Sequence, residues 1–201
     1  MEEWGKSLAT LHFLSKTFEP ASETRKGWLD TVQFMESVFQ KHPGEQLALQ
    51  ELSRVTNWLQ SLPTHKDVFG LIHYDFQLDN IFWVEDEEQR FTIIDFDDAI
   101  YHWYVLDIVT ALDDFIADDN PHSTLMTQSF LNGYCSKMDL DEDVVSQFPQ
   151  FQRYANLYKF SKIVKSLDYN VIEEMPSWVG GLKAKLVHVA DELRQSFQKP
   201  W

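Results

Sequence analysis

The chain has 201 residues, of which 44% are hydrophobic and 14% aromatic, a composition typical of one folded domain with a substantial core. Its 32 acidic and 17 basic residues give a net charge of −15, which argues against nucleic acid and anionic membrane surfaces as partners. A single cysteine excludes an internal disulfide. With no secretory signal and no long apolar run, the sequence predicts a cytoplasmic protein without a membrane span.

Hydrophobic periodicity predicts three helices before residue 63. They are expected at Glu2–Phe18, from a cap at 22–24 to Gln40, and at Glu45–Leu62. Three short apolar runs then predict strands at Val68–Ile72, Ile81–Val84 and Phe91–Ile94. A polar turn at 85–90 joins the last two runs into a hairpin.

The rest of the chain is predicted to be helical. Helices are expected at Trp103–Ile116, from Asn120-Pro121, at Pro149–Tyr169, and around or after Gly180-Gly181 to Gln198. The sequence therefore predicts a mainly α protein with a small β-hairpin, an α+β architecture without a parallel sheet.

The strongest chemical signal lies in residues 73–98. The sequence reads His-Tyr-Asp-Phe-Gln-Leu-Asp-Asn from His73 to Asn80, and Ile-Asp-Phe-Asp-Asp from 94 to 98. A His two residues before an Asp, and an Asn five residues after it, is the catalytic-loop spacing of kinases. A second Asp after an apolar run is where such enzymes hold magnesium. We therefore expect Asn80 and Asp95 to offer oxygen ligands to Mg²⁺, and Asp75 to accept the proton of an attacking hydroxyl.

Residues 71–107 resemble the aminoglycoside phosphotransferase and choline kinase family of kinase-like enzymes. The matching residues are His73, Asp75 and Asn80, followed by the segments 94–99 and 103–108. The opening segment 4–12 resembles the first helix of the C-terminal lobe in that family. The resemblance is strong at the loop and hairpin and looser in the later helices.

The resemblance implies a role for each matched residue and implies Mg²⁺ and ATP or GTP as cofactors. By this resemblance, Asp75 would be the catalytic base, and Asn80 and Asp95 would bind the metal and the nucleotide. Asp97 would make a further metal contact. His73 would pack under the loop, and Asp107 would support the loop through backbone amides.

A complete kinase of this kind also has an N-terminal lobe with a Gly-rich loop and a strand lysine. This sequence has seven glycines with one adjacent pair, and no Gly-x-Gly-x-x-Gly. We therefore expect 1–201 to form a single C-terminal lobe without the N-terminal lobe. Its parts would be N-terminal helices in 1–62, the catalytic loop and metal-binding hairpin in 68–98, and a helical substrate subdomain in 103–201. The exposed interlobe face suggests a homodimer.

The expected reaction is transfer of a terminal phosphoryl group from a nucleoside triphosphate to a hydroxyl of a small molecule. The acidic excess would suit a cationic aminoglycoside-, choline- or homoserine-like acceptor, although solubility alone explains most of the charge. Candidate substrate residues are Asp98, Trp103, Asp113, Tyr154 and Tyr158, with the aromatic rings available for cation–π contacts. An aromatic row of this kind is, however, more typical of a core.

Two other functional classes remain open for this protein. The first is a non-catalytic kinase-like binding module, because the nucleotide-gripping lobe is missing. The second is a Ser/Thr protein kinase, against which Phe96-Asp97 in place of Phe-Gly and Tyr74 in place of Arg both argue. Calcium and zinc sites are not indicated, since the aspartates at 139–143 lack an EF-hand glycine and no His-x-x-x-His occurs.

Overall fold

The computed structural model describes residues 1–20, 25–84, 90–116, 120–168, 176 and 178–201. The described residues form helices α1 (Glu2–Ser15), α2 (Trp28–Gln40), α3 (Gln46–Ser61), α4 (Tyr104–Ala111), α5 (Asp113–Ile116), α6 (Pro121–Cys135), α7 (Glu142–Val145), α8 (Phe148–Leu167) and α9 (Trp178–Ser196). They also form strands β1 (Phe69–Ile72), β2 (Ile81–Val84), β3 (Arg90–Ile93) and β4 (Ile100–Trp103), with a 3₁₀ turn at Leu78–Asn80. This confirms the mainly α architecture predicted from the sequence.

The chain divides into two compact units, each built from two separate stretches. Unit 1 comprises Met1–Trp28 and Pro63–Gln152, and unit 2 comprises Leu29–Leu62 and Arg153–Trp201. This division differs from the three consecutive segments expected from the sequence, because the N-terminal and C-terminal helices are shared between the units. Every candidate catalytic and metal-binding residue lies in unit 1.

Unit 1 is organised around the packing of α1 against α6. The buried Trp4 ring lies edge-on to Phe130, with 4.8 Å between ring centroids. Glycines make this close approach possible: a Cβ built on Gly5 would lie 2.0 Å from the Phe130 carbonyl oxygen, and one on Gly133 would lie 1.9 Å from the Glu2 carbonyl oxygen. Asn120 begins α6, its side chain accepting the backbone N–H groups of residues 122 and 123.

Unit 2 has its own apolar core and a buried ion pair. The Phe160 ring packs against Phe39 and Phe197, at centroid distances of 5.6 and 5.4 Å. The fully buried Glu51 carboxylate is paired with Arg153. The Arg153 guanidinium also donates to the backbone carbonyls of residues 199 and 200, which ties the end of the chain to this core.

The strands form two antiparallel pairs rather than one hairpin. Strands β2 and β3 pair in antiparallel fashion with Ile81 opposite Ile93, which confirms the predicted hairpin. The pairing of β1 with β4, which joins Phe69 to Trp103, was not expected, because no strand was predicted at residues 100–103. Trp103 is the last residue of β4, and α4 begins one residue later. The expected helix cap at 22–24 lies outside the described residues.

Helical periodicity placed the longer helices within a few residues of their observed bounds. The expected helix at 103–116 is divided into α4 and α5, and the last helix passes through Gly180 and Gly181 without a break. Among the described helices, none combines the length and apolar character that crossing a membrane requires.

Candidate active site

The catalytic loop follows β1 and ends in the 3₁₀ turn. The Asn80 side-chain amide donates to the Asp75 carboxylate oxygen Oδ2 and to the Asp75 carbonyl oxygen, both at 2.9 Å. These two contacts hold the partly exposed Asp75 carboxylate in one position. Because the Asn80 nitrogen is committed to Asp75, its amide oxygen is the atom left to offer to a cation.

The backbone of residue 94 ties Asp95 to the same loop. The Ile94 N–H donates to the Asn80 carbonyl at 3.1 Å, and the His73 Nε2 donates to the Ile94 carbonyl at 2.9 Å. Asp95 follows directly, exposed and in the left-handed region with φ 61°. Non-glycine residues rarely adopt this backbone conformation, and such strain clusters at functional sites.

His73 packs beneath the loop. It is fully buried, and its ring contacts Phe96 and Phe76 at centroid distances of 4.5 and 5.7 Å. Because a carbonyl can only accept, the contact with Ile94 requires the proton to be on Nε2. The imidazole therefore bridges the catalytic loop and the segment that carries Asp95.

The loop backbone is anchored by the fully buried carboxylate of Asp107 on α4. Its two oxygens accept the backbone N–H groups of His73 at 2.8 Å and Tyr74 at 2.7 Å. Tyr74 also has a positive φ, 70°. Two charge-assisted hydrogen bonds hold the strained backbone immediately before Asp75.

His12 on α1 completes this anchor. Its Nε2 donates to Asp107 Oδ2 at 3.0 Å, and its Nδ1 lies 2.8 Å from the Tyr134 hydroxyl on α6. Burial raises the pKa of Tyr134, so its hydroxyl keeps the proton that it can donate to Nδ1. Sequence reasoning recognised His12 only within the opening segment, because no local pattern links residues 95 positions apart.

The residues after Asp95 stay close to it. The Asp97 N–H points to Asp95 Oδ1 at 3.5 Å, and the Arg25 guanidinium donates to the Phe96 and Asp97 carbonyls at 2.6 and 3.2 Å. Asp97 and Asp98 are both exposed. Within the described ranges, no group of three or more His, Cys, Asp and Glu side chains is arranged to hold a metal ion.

The candidate substrate residues are divided between the units, with Asp98, Trp103 and Asp113 in unit 1 and Tyr154 and Tyr158 in unit 2. The Trp103 ring is 3% exposed, with its Nε1 donating to the Pro63 carbonyl at 2.7 Å. Tyr154 is fully buried and hydrogen-bonded to Thr31. These two rings are core side chains, contrary to the expectation that they wall a substrate. Asp113 accepts from the Gln152 amide at 2.6 Å, and Tyr158, in unit 2, lies under the Lys162 ammonium at 4.8 Å.

One face of the hairpin carries two exposed apolar side chains that sequence reasoning did not select. Phe82 is 53% exposed and Ile94 is 42% exposed. The register that pairs Ile81 with Ile93 places Asn80, Phe82 and Ile94 on one face, because side chains alternate along a strand. In the predicted hairpin, side chains alternate between the two faces of each strand, and this alternation could have identified both residues.

A cavity of about 240 Å³ adjoins the 3₁₀ turn. Its lining includes Gln77 and Asp79 from the loop, Asp114 and Phe115 from α5, and Trp4 from α1. The Trp4 Nε1 is buried and has no hydrogen-bond partner in the described part of the chain. The lining of the cavity thus includes two carboxylates and two aromatic rings.

Comparison with known proteins gives a consistent result. Amicoumacin kinase from Bacillus subtilis (strain 168) is 28% identical over 184 residues, which cover 86% of this chain and 53% of that protein. The chain thus spans about half the length of this relative.

Two solved structures share the fold. An amicoumacin kinase in complex with AMP-PNP, Ca²⁺ and Ami superposes with a TM-score of 0.72 at 18% identity, covering 97% of this chain and 58% of that one. A microcompartment-associated aminopropanol kinase superposes with a TM-score of 0.70 at 21% identity, covering 98% and 60%. A family model described as the phosphotransferase enzyme family matches residues 1–140. Since this match takes in more than half of the chain, the chain belongs to the phosphotransferase enzyme family.

Proposed function

We propose that this chain forms the catalytic part of a cytoplasmic kinase that transfers the terminal phosphoryl group of ATP or GTP to a hydroxyl of a small molecule. The observation that carries the proposal is the hydrogen-bonded pair of Asp75 and Asn80, with Asp95 tied to the same loop through Ile94. Family membership supports it.

Asp75 is the proposed general base. Its carboxylate is partly exposed, so an acceptor hydroxyl can approach it, and Asn80 fixes its orientation. A general base must lie within hydrogen-bond reach of the proton that it accepts. In phosphoryl transfer, most of the rate enhancement comes from positioning and charge stabilisation, and the anchor of Asp107 and His12 positions this loop.

The amide oxygen of Asn80 and the carboxylate of Asp95 are the proposed magnesium ligands, with Asp97 beside them. One or two protein carboxylates, supplemented by water and substrate phosphates, is the usual magnesium site of phosphoryl-transfer enzymes. This donor set therefore fits magnesium. When bound, the metal would neutralise charge on the phosphoryl oxygens.

Phe82 and Ile94 are proposed to contact the nucleotide. They are exposed on the hairpin face that carries Asn80. A nucleotide whose phosphates lie near Asn80 can extend along this face, where the two apolar side chains would lie against the base. Burial of these side chains by the base would contribute to affinity through the hydrophobic effect.

The cavity beside the 3₁₀ turn is proposed to receive the acceptor. Asp79 and Asp114 favour a cationic group such as an ammonium. An amino alcohol or aminosugar carries such a group together with the hydroxyl that would be phosphorylated. Asp98 and Asp113 remain candidates for further contacts.

The experiment is a phosphoryl-transfer assay with Mg-ATP or Mg-GTP and a panel of aminoglycosides, choline-like alcohols, homoserine and a generic protein substrate. We expect turnover with a cationic small molecule, and a loss of several orders of magnitude in Asp75→Asn with little loss of nucleotide affinity. Turnover of Asp75→Asn within tenfold of wild type would remove Asp75 from the base role. Nucleotide binding without turnover of any acceptor would favour the non-catalytic module instead, and transfer to the protein substrate alone would favour a protein kinase.

The metal assignment has its own test. Asp95→Ala is expected to abolish magnesium-dependent nucleotide binding in isothermal titration. Asp67→Ala is the matched control, since Asp67 is an exposed carboxylate paired with Lys16. Equal magnesium dependence in both variants would discard Asp95 as a ligand.

We also propose that the chain forms a homodimer through an apolar face of unit 1. Leu14 and Phe18 are 59% and 52% exposed, and with the 37% exposed Phe96 they line an apolar groove of about 130 Å³. Sedimentation of wild type and Leu14→Glu tests this: a monomeric wild type, or an unchanged dimer in the variant, would contradict it.

A further inference from the structure

A second cavity, of about 260 Å³, lies in unit 2, where α2 ends beside the C-terminal end of α8. Its lining includes Lys41 and His42 after α2, Lys165 and Asp168 on the other side, and the Phe34 ring. Three basic side chains thus line one cavity. Such a cluster is unusual in this chain, in which 32 acidic residues outnumber 17 lysines and arginines. No step of the proposed phosphoryl transfer uses these three side chains.

The geometry of His42 makes it a cation. Its Nδ1 lies 2.7 Å from the Val38 carbonyl oxygen, and its Nε2 lies 2.9 Å from Asp168 Oδ1. Both partners are acceptors, so each ring nitrogen must carry a proton for both hydrogen bonds to form. In agreement, the hydrogen bond to Asp168, supported by that to Val38, raises the pKa of His42.

The carboxylates around the cavity are already committed. Asp168 is paired with His42, and Glu45, the other acid near His42, is paired with Arg194 at 2.7 Å. The Lys165 ammonium lies over the Phe34 ring at 5.2 Å from its centroid. Neither Lys41 nor Lys165 forms an ion pair with a carboxylate of the described residues.

Helix C-termini favour nearby cations, which explains part of this arrangement. However, the Val38 carbonyl is already occupied by the Lys41 N–H and the His42 ring, and the Phe39 carbonyl by the His42 N–H. The helix end is therefore capped without the two ammonium groups, which remain available to an external ligand.

We propose that this cavity binds a phosphate group through Lys41 and Lys165, with His42 as a neighbouring cation whose two N–H groups stay on Val38 and Asp168. A phosphate carries about two negative charges near neutral pH and several strong acceptor oxygens, which suits two ammonium groups that line one cavity. The phosphate belongs either to free inorganic phosphate or to a phosphorylated small molecule. The site goes beyond the proposed catalytic function and lies in the other unit.

The test is titration of inorganic phosphate into the chain in EDTA, in an Asp95→Ala background that removes the proposed metal site. We expect saturable one-site binding by calorimetry and movement of the His42 imidazole resonances in NMR spectra. Lys41→Ala/Lys165→Ala should weaken binding about tenfold or more for each charge-assisted hydrogen bond that is lost. Lys183→Ala/Lys185→Ala, on α9, carries the same charge change as a control and should bind as the parent does.

Two results would overturn the proposal: no saturable shift of the His42 resonances, or equal affinity in the Lys41/Lys165 and Lys183/Lys185 variants. A parallel titration with glycerol 3-phosphate separates the two ligand sources. Tighter binding of the ester than of inorganic phosphate supports a phosphorylated small molecule, and weaker binding supports the free ion. None of these readouts depends on catalysis, so failure here leaves the proposed kinase activity untouched.

Discussion

Replacing Asp107 with Asn tests whether the catalytic loop depends on a buried carboxylate. Asp107 accepts three hydrogen bonds, from the backbone N–H groups of His73 and Tyr74 and from His12 Nε2, at 2.8, 2.7 and 3.0 Å. Asparagine offers one carbonyl oxygen and presents an NH₂ group where the second carboxylate oxygen stood. At least one buried donor then loses its acceptor.

The expected cost follows from these contacts. A hydrogen bond to a charged group contributes about 1.5–3 kcal/mol, and breaking a buried charged arrangement costs about 3–5 kcal/mol. We therefore expect Asp107→Asn to lower the free energy of unfolding by about 3–5 kcal/mol. His12→Gln leaves both loop hydrogen bonds intact and should cost about 1–3 kcal/mol.

The assay is urea denaturation followed by fluorescence and circular dichroism. Asp67→Asn is the matched control, because Asp67 forms an ion pair with Lys16 and is 67% exposed, and such surface pairs contribute about 0–1 kcal/mol. A loss of stability in Asp107→Asn no larger than that in Asp67→Asn would refute the reasoning. If Asp107→Asn does not fold, His12→Gln tests the same reasoning. His12→Gln must then fold with a lower free energy of unfolding than both wild type and Asp67→Asn.

Three further changes have defined outcomes. Gly133→Ala places a Cβ 1.9 Å from the Glu2 carbonyl oxygen and should cost about 1–3 kcal/mol or more, whereas Gly44→Ala meets nothing within 4 Å; equal melting temperatures would contradict this. Burial lowers the pKa of His102 to about 3, so as the pH falls the imidazole is protonated in the unfolded chain before it is protonated in the folded chain. The contribution of neutral His102 to the free energy of unfolding is therefore fully present above pH ~6.5 and is lost as the pH drops towards 3. His102→Gln should flatten that fall by up to about 1.4 kcal/mol per pH unit in pH-dependent urea titrations, and parallel curves would oppose the assignment. Arg153→Lys loses the fork that joins Glu51 to the carbonyls of 199 and 200, and it should lower the free energy of unfolding in urea by about 2–4 kcal/mol. The loss should be far larger than that in Arg54→Lys, because Arg54 is an exposed side chain 3.6 Å from the same carboxylate.

Periodicity and turn signals were sufficient for most of the secondary structure. The β2–β3 hairpin was predictable because its strands are neighbours in sequence and only a short polar segment of the sequence lies between them. Strand β4 was not, because its four residues pair with β1 about thirty positions earlier, and this contact leaves no local pattern. The division into two units was equally hidden, since each unit joins distant stretches of the chain.

The candidate site divides in the same way. The spacing of Asp75, Asn80 and Asp95 is local and could be read from the sequence. Hydrogen bonds join Asn80 to Asp75 directly, and they join the loop to Ile94, the residue before Asp95. His12 could not be found, since its role depends on the packing of α1 near α4 and α6. Trp103 and Tyr154 were selected as aromatic, but residue type alone does not reveal that packing buries both rings.

The buried carboxylate of Asp107 also has a consequence for ligand binding. Because it immobilises the amides of His73 and Tyr74 while unit 1 folds, the entropy loss of ordering this loop is incurred before any ligand arrives. A ligand that contacts this loop would therefore meet preorganised backbone, and deuterium exchange at these two amides should be as slow as in the surrounding helices.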